Sequence, residues 1–520
     1  MADENVSYEA NARWSNVSWV PYAVGCNILD LYDIDRIKQI VQDPMTNNRE
    51  VRELSRTLYS CNGVVTNVID YCVSLPTLNH VIVAHGESEN KKRHNKQIVA
   101  NLLRMIRDRE LVRDALHNTL VDGVYFAYFE TRQRPLSKDK SLNDWQVNNI
   151  IEINEDTALN ASVVYLDPDY TRIIGIRNGS YILSFNLEYF TLNGNEPAED
   201  KLRRYPKEIR DAYAAWRNGK GKQWAVLDTD HTIAVKFRAK RSEPYGRPLA
   251  LAAIDDILYD AMMTRSKRLA IDEINKRIIY ETFPEGKQKG ESALTERQQT
   301  KQHETVRDAI KCTNGSSGST TFFSVAAGTK IDVLKPDVSI LDENNSTDLR
   351  KNISLGLGFA ASLLTGEGTS SFSAQENNLQ LITAEIFNVV DMVVEELNKV
   401  INANVIKNAR YRVEVKYLPI TYCNRKQFVE MTKDLYLQGK GSLSLWATAV
   451  GIGAEAFFDM LDEELEADIE HKYPVHQTSY TYGSTDSGDT GGRPVDDDTT
   501  NPKTLTTRAN GGNTLPSPSD

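Results

Sequence analysis

Asp167-Pro168-Asp169 directly follows the apolar run 163–166, and two carboxylates at a strand end could hold a divalent cation for phosphate or sugar-nucleotide chemistry. The same residues also make a strand-breaking turn, because Asp bonds to its own backbone two residues on and Pro fixes the chain direction. Asp228-Thr229-Asp230-His231 allows the same two readings. Gly356-Leu357-Gly358-Phe359-Ala360-Ala361 fits the loose dinucleotide pattern GxGxxA, but that chemistry needs a preceding strand, and here a helical pattern precedes it. Gly219-Lys220-Gly221-Lys222 lacks both the spacer and the Ser/Thr of a phosphate loop. Neither HExxH nor GxSxG occurs. Cys26, Cys61, Cys72, Cys312 and Cys423 are scattered without CxxC spacing, so no zinc site or disulfide framework is indicated. No catalytic constellation, metal site or cofactor site stands out, and the chain reads as a non-enzyme whose function lies in shape and assembly.

The elements that would position such residues require more than one structural region, since 520 residues exceed the size at which a single core stops growing. A formal net charge of −11 argues against electrostatic gripping of nucleic acid by the molecule as a whole, although a local basic stripe stays open. The apolar runs 353–364 and 446–458 are too short to span a membrane, and the start MADENVSYEANARW has no apolar core of a signal peptide.

Apolar residues at three- and four-residue steps predict an amphipathic helix over 47–75, closed by Pro76. A basic helical stretch follows at 91–113, either a solvated face or a contact for an acidic partner. From Gly123 the pattern turns to strands, with Arg177-Asn178-Gly179-Ser180 a hairpin signal and a helix over 206–218. The fold class is α+β. A first arm, 244–283, carries no Gly or Pro between 249 and 283 and would reach about 50 Å if helical. A polar insert, 284–345, is expected to hold a helix over 296–310 and a small sheet around Phe323, Val325, Ile331 and Val333. A second arm returns from 346, and a long amphipathic helix covers 374–405. A strand at 411–418 and three helices over 424–471 follow. The Gly-, Ser-, Thr- and Asp-rich end past Ser479 is expected to be disordered.

The order YSCNGVVTNVIDYCVSLP, LVRDALHNTLVDGVYFAYFE, VVYLDPDYTRIIG, YPKEIRDAYAAW, EPYGRPLALAAIDDILYDAMMTRSKRLA, LGLGFAASLLTGEGTSSFSAQENNLQLITAEIFNVVDMVVEELN, LYLQGKGSLSLWATAVGIG and AEAFFDMLDEELEADI resembles the portal proteins of tailed double-stranded DNA bacteriophages over about 51–471. The resemblance implies a homo-oligomeric ring, usually of twelve subunits, at one capsid vertex of the virion, assembled in the host cytoplasm. Double-stranded DNA would pass through its channel during packaging and ejection. It implies an N-terminal arm (1–45), an α/β wing (46–243), stem helices (244–283 and 346–363), a small α/β clip (284–345), a channel loop (364–373), a wing helix and strand (374–423), a helical crown (424–478) and a tail (479–520). Implied partners are the terminase large subunit, the major capsid protein, scaffolding protein and a head–tail adaptor, with no membrane.

The channel loop would be Thr365, Gly366, Glu367, Gly368, Thr369, Ser370, Ser371 and Phe372, free of Lys and Arg, so that a polyanion slides past with little binding energy to overcome. Lys267, Arg268, Lys276 and Arg277 cluster on the first arm and would supply basic rings that balance repulsion. The rival readings are a metal-dependent enzyme using Asp167 and Asp169, and a ring-forming neck or capsid protein that is not the genome channel.

Overall fold

In the computed structural model the described residues are 28–132, 160–191, 198–275, 279–288, 291–313, 325, 329–333, 343–360, 362–363 and 372–472. The terminal tail and most of the N-terminal arm lie outside them. The chain forms two compact units, Met1–Ala454 and Glu455–Asp520.

The first unit is mixed α and β, as its sequence patterns predict. Its amphipathic stretch 47–75 is two helices, Asn48–Cys61 and Gly63–Ser74, because Asn62 leaves helical geometry and its side chain accepts hydrogen bonds from the Val64 and Val65 amides at 3.0 and 3.2 Å. Both helices bury their apolar faces with helix Asp108–Asp122 and the long helix Phe372–Ile401, in a core that includes Leu54, Leu58, Val68, Leu116, Val389, Val393 and Leu397. Burying such a side chain contributes about 1.5–3 kcal/mol.

Among the described residues four small antiparallel sheets carry the strands. β1 (His80–Ala84) pairs with β10 (Val413–Tyr417). β2 (Val124–Arg132) lies between β3 (Asn160–Tyr165) and β7 (Thr232–Lys236). β5 (Ser180–Asn186) lies between β4 (Thr171–Arg177) and β6 (Trp224–Val226), and β8 (Ile279–Thr282) pairs with β9 (Lys330–Val333). The two-residue side-chain period of a strand lets β2 serve two cores. Tyr125, Ala127 and Phe129 enter the helical core, while Val124, Phe126 and Tyr128 enter a second, aromatic core. There Phe185, Tyr189, Phe190 and Tyr205 meet mostly edge-on or tilted, with ring centroids 5.0–5.9 Å apart. The predicted β4–β5 hairpin is present; Asn178 and Gly179 both have positive φ, 48° and 90°, as a two-residue hairpin turn requires.

The end of the long helix is tied to β10 by side chains. Asn398 donates to the Val415 carbonyl at 2.9 Å and accepts its amide at 2.8 Å; Asn402 does the same with Val413 at 2.8 and 2.9 Å.

The first arm departs from the expected single helix. A 3-10 turn, Leu249–Ala253, leads into helix Ile254–Asn275, 22 residues and about 33 Å long, and the chain then becomes strand β8. The β8–β9 sheet in the insert joins residues some fifty positions apart, Ile279 opposite Val333 and Thr282 opposite Lys330; Phe323, expected in a small sheet there, lies outside the described residues. The helix of the insert runs Glu296–Thr313, and the return arm is helix Glu343–Gly356. Helices Arg425–Leu437 and Leu443–Val450 follow β10. The second unit holds nearly all of helix Ala454–Glu466 and the short helix Ile469–Lys472.

Candidate functional site

Two places carry the residues singled out by the sequence: the arm with its loop, and the carboxylates around Asp167.

The arm begins at a crowded crossing. Gly246 lies so close to β2 that a Cβ there would sit 2.1 Å from the Gly123 carbonyl oxygen and 2.5 Å from that of Phe237. Gly123 itself has φ of 76° and accepts the Phe237 amide at 2.8 Å. Lys236, 6% exposed at the end of β7, donates its three ammonium hydrogens to the carbonyls of Lys240, Arg241 and Glu243 at 3.0, 3.2 and 2.6 Å. Burial draws the Lys236 ammonium below its ordinary pKa, with Glu243 opposing. This buried ammonium moulds the 237–243 connector that feeds the arm. Where the arms meet, the site of a Cβ on Gly356 is 3.0 Å from the Ala253 methyl, so the two chains approach as closely as small residues allow.

Beyond that crossing, Ile254, Ile257 and Leu258 are buried, but Tyr259, Met262, Leu269 and Ile271 are 53%, 38%, 57% and 48% exposed on the same helix. Arg265 and Arg268 are exposed and Lys267 is half-buried; Lys276 and Arg277 lie outside the described residues. So do Thr365, Gly366, Glu367, Gly368, Thr369, Ser370 and Ser371, while Phe372 is the first residue of the long helix. The N-terminal approach to that loop is fixed. Gly358 turns the chain at φ 88°, Phe359 is buried, and Asn378 of the long helix accepts the Ala360 amide at 3.0 Å and donates to the Gly358 carbonyl at 3.2 Å. Asn378 thus clamps the start of the loop onto the helix that leaves it, a role its place in an apolar-periodic helix did not advertise.

Asp167 and Asp169 act as turn and ion-pair groups. The Asp169 amide donates to Asp167 Oδ1 at 2.8 Å, and Thr171 Oγ1 donates to the Asp167 carbonyl at 2.8 Å. Asp169 accepts from Arg52 Nε at 2.8 Å and from Arg56 Nη1 at 3.0 Å, and Arg56 grips Asp122 with two bonds of 2.7 and 3.0 Å. Arg52 is 2% exposed and sits 5.2 Å from the Tyr245 ring centroid. Burial alone would raise the Asp169 carboxyl, but Arg52 and Arg56 outweigh it and hold it below the usual carboxylate range. Among the described residues no arginine is bonded to the Asp167 carboxylate. Burial first, and the neighbouring Asp169 second, push it up from 3.8 to about 6. The arrangement bolts the β3–β4 turn to helices Asn48–Cys61 and Asp108–Asp122. The Asp169 lone pairs that a cation would need are taken by guanidinium groups. Among the described residues no cluster of His, Cys, Asp or Glu is placed to hold a metal ion. Asp228 likewise closes a turn, accepting the Asp230 amide at 3.2 Å. Sequence reasoning missed Arg52 and Arg56; their one signal was spacing of four residues beside the apolar stripe Val51, Leu54, Leu58.

No protein-family model matches the chain. A curated relative, the SPbeta prophage-derived uncharacterized protein YonE of Bacillus subtilis (strain 168), is 20% identical over 497 residues, covering 93% of this chain and 91% of that protein. Among solved structures, the neck of an empty gene transfer agent particle computed with C6 symmetry is similar at TM-score 0.48 and 12% identity, covering 78% of this chain and 94% of its own. An HK97-family phage portal protein from Corynebacterium diphtheriae is similar at TM-score 0.29 and 10% identity, covering 71% and 94%. The portal family named from the order of sequence elements is thus represented among the similar structures. No described helix is long and apolar enough to cross a membrane.

Proposed function

We propose that this chain is the portal subunit of a tailed double-stranded DNA phage, a structural protein that assembles as a ring, usually of twelve copies, around a DNA channel at one capsid vertex. The observation that carries the reading is the set of exposed apolar side chains on the arms: Tyr259, Met262 and Leu269 along one side of the first-arm helix, Ile271 on its other side, Leu355 on the return arm and Leu381 on the long helix, the last two 62% and 71% exposed. A lone subunit would leave these apolar side chains in water, and a ring buries them between identical neighbours. The sequence resemblance supplies the rest: the loop 365–372 at the constriction, basic side chains on the arm, and the insert as the docking end for the terminase large subunit and later the head–tail adaptor.

Negative-stain imaging of the purified full chain tests the proposal. Rings with a central hole of duplex width are expected. A protein that remains monomeric at high concentration, or rings without a hole, overturns it.

A further inference from the structure

The basic stretch recognised in the sequence becomes, in the structure, one half of a two-part charged surface away from the arm. Helix Glu89–Met105 is locked at its N-terminal end to the 407–412 turn. Lys91 Nζ lies 5.0 Å from the Tyr411 ring centroid, Asn95 donates to the Tyr411 carbonyl at 3.2 Å, and the His85 amide donates to the Arg412 carbonyl at 2.8 Å. On the side where they meet, the two segments present Lys91, Lys407, Arg410 and Arg412, all exposed; Arg93 lies on the far side of the helix from Asn95. Among the described residues none of the four has a carboxylate within ion-pair distance. The nearby acids Glu89 and Glu414 are engaged with Lys92 and Lys416, which leaves Glu87 as the offsetting charge. Four such cations on a fixed backbone, in a chain of net charge −11, are a concentrated departure from the rest of the molecule.

We propose that this face binds the phosphate backbone of double-stranded DNA, without regard to sequence, as a contact separate from any channel. Two features favour a polyanion over a protein partner. A protein interface needs apolar or aromatic anchors at its centre. Among the described residues none of the exposed large apolar side chains lies in these two segments; Val83, 37% exposed, sits on neighbouring β1, and Tyr411 is half-buried beneath Lys91. Phosphate contact, by contrast, asks for exposed Lys and Arg with no carboxylate competing for them.

The test is fluorescence anisotropy of a labelled random-sequence duplex of about 30 base pairs with the full chain, from about 50 to 200 mM salt. Wild type is compared with Lys91→Gln/Lys407→Gln/Arg410→Gln/Arg412→Gln and with the control Lys220→Gln/Lys222→Gln, two exposed lysines on the loop before β6. Wild type binds with a steep salt slope. The quadruple variant loses roughly tenfold or more in affinity, and its slope falls by about 0.9 for each phosphate contact removed, roughly 3 to 4 in all. The control variant keeps the slope. Circular dichroism checks folding, and Lys407→Gln/Arg410→Gln gives half the slope change if the quadruple variant misfolds. Absent duplex binding, an unchanged slope in a folded variant, or preference for polyglutamate over duplex at equal charge overturns the proposal, the last in favour of an acidic protein partner. Because binding in solution is the readout, the outcome is independent of whether imaging shows rings.

Discussion

Asp167→Asn separates the two uses the sequence allows for its carboxylate. The wild-type carboxyl is held at about 6 against an ordinary 3.8, because burial and Asp169 disfavour its charge. For an acid whose folded pKa is raised, the folded state holds its proton more tightly. The stabilisation is therefore complete below the unfolded pKa and is lost as pH rises through the folded one. At about 1.4 kcal/mol per tenfold change, ionised Asp167 costs the folded protein about 3 kcal/mol above pH 7 and nothing near pH 4. Asparagine keeps the oxygen that accepts the Asp169 amide but carries no charge. The variant is therefore expected to be more stable than wild type by up to about 3 kcal/mol at pH 7.5, with the difference shrinking towards zero by pH 4. Urea denaturation of both proteins at several pH values measures it, since titrating groups that do not interact with Asp167 cancel in the difference. A variant that is less stable than wild type at pH 7.5 refutes the reasoning, and a loss that deepens on adding a divalent cation restores the metal reading.

Other substitutions probe the same frame. Arg56→Met leaves Asp122 and Asp169 buried with part of their countercharge gone, and a loss of about 3–5 kcal/mol is expected in urea denaturation. Asn378→Ala removes both bonds to the 358–360 turn; a loss of about 1–2 kcal/mol, with faster limited proteolysis after Phe359 than elsewhere, would show the clamp. Gly246→Ala forces a methyl against two carbonyl oxygens, so a loss of about 3 kcal/mol or insoluble expression is expected, while Gly219→Ala, in open space, tests φ strain alone.

Elements set by local periodicity were legible in the sequence: β2, the β4–β5 hairpin with its Asn-Gly turn, the Phe372–Ile401 helix, and the helices ended by Gly439 and Gly451. What escaped depends on distant partners. The tail of the first arm, Ile279–Thr282, pairs with Lys330–Val333; its β-branched and aromatic residues favour a strand, but no Gly or Pro ahead of them marks where the helix gives way. Arg52 and Arg56 read as the polar side of an amphipathic helix, yet their partners Asp122 and Asp169 stand 66 to 117 residues away. Lys236 ends a buried strand whose run of apolar residues hid the connector it organises. Asn398 and Asn402, by contrast, left a trace: two amides four residues apart interrupt the stripe Val394, Leu397, Ile401.

Those two asparagines also bear on how copies of this chain can behave when crowded. A two-stranded ribbon ordinarily offers its outer hydrogen-bonding groups as a template on which another molecule's extended segment can settle. Here the outward groups of Val413 and Val415 are already occupied, each by an amide that imitates a passing peptide bond. That border of the ribbon is sealed from within, so many subunits can be brought side by side without zipping together along it, and leucine at either position would reopen it to aggregation.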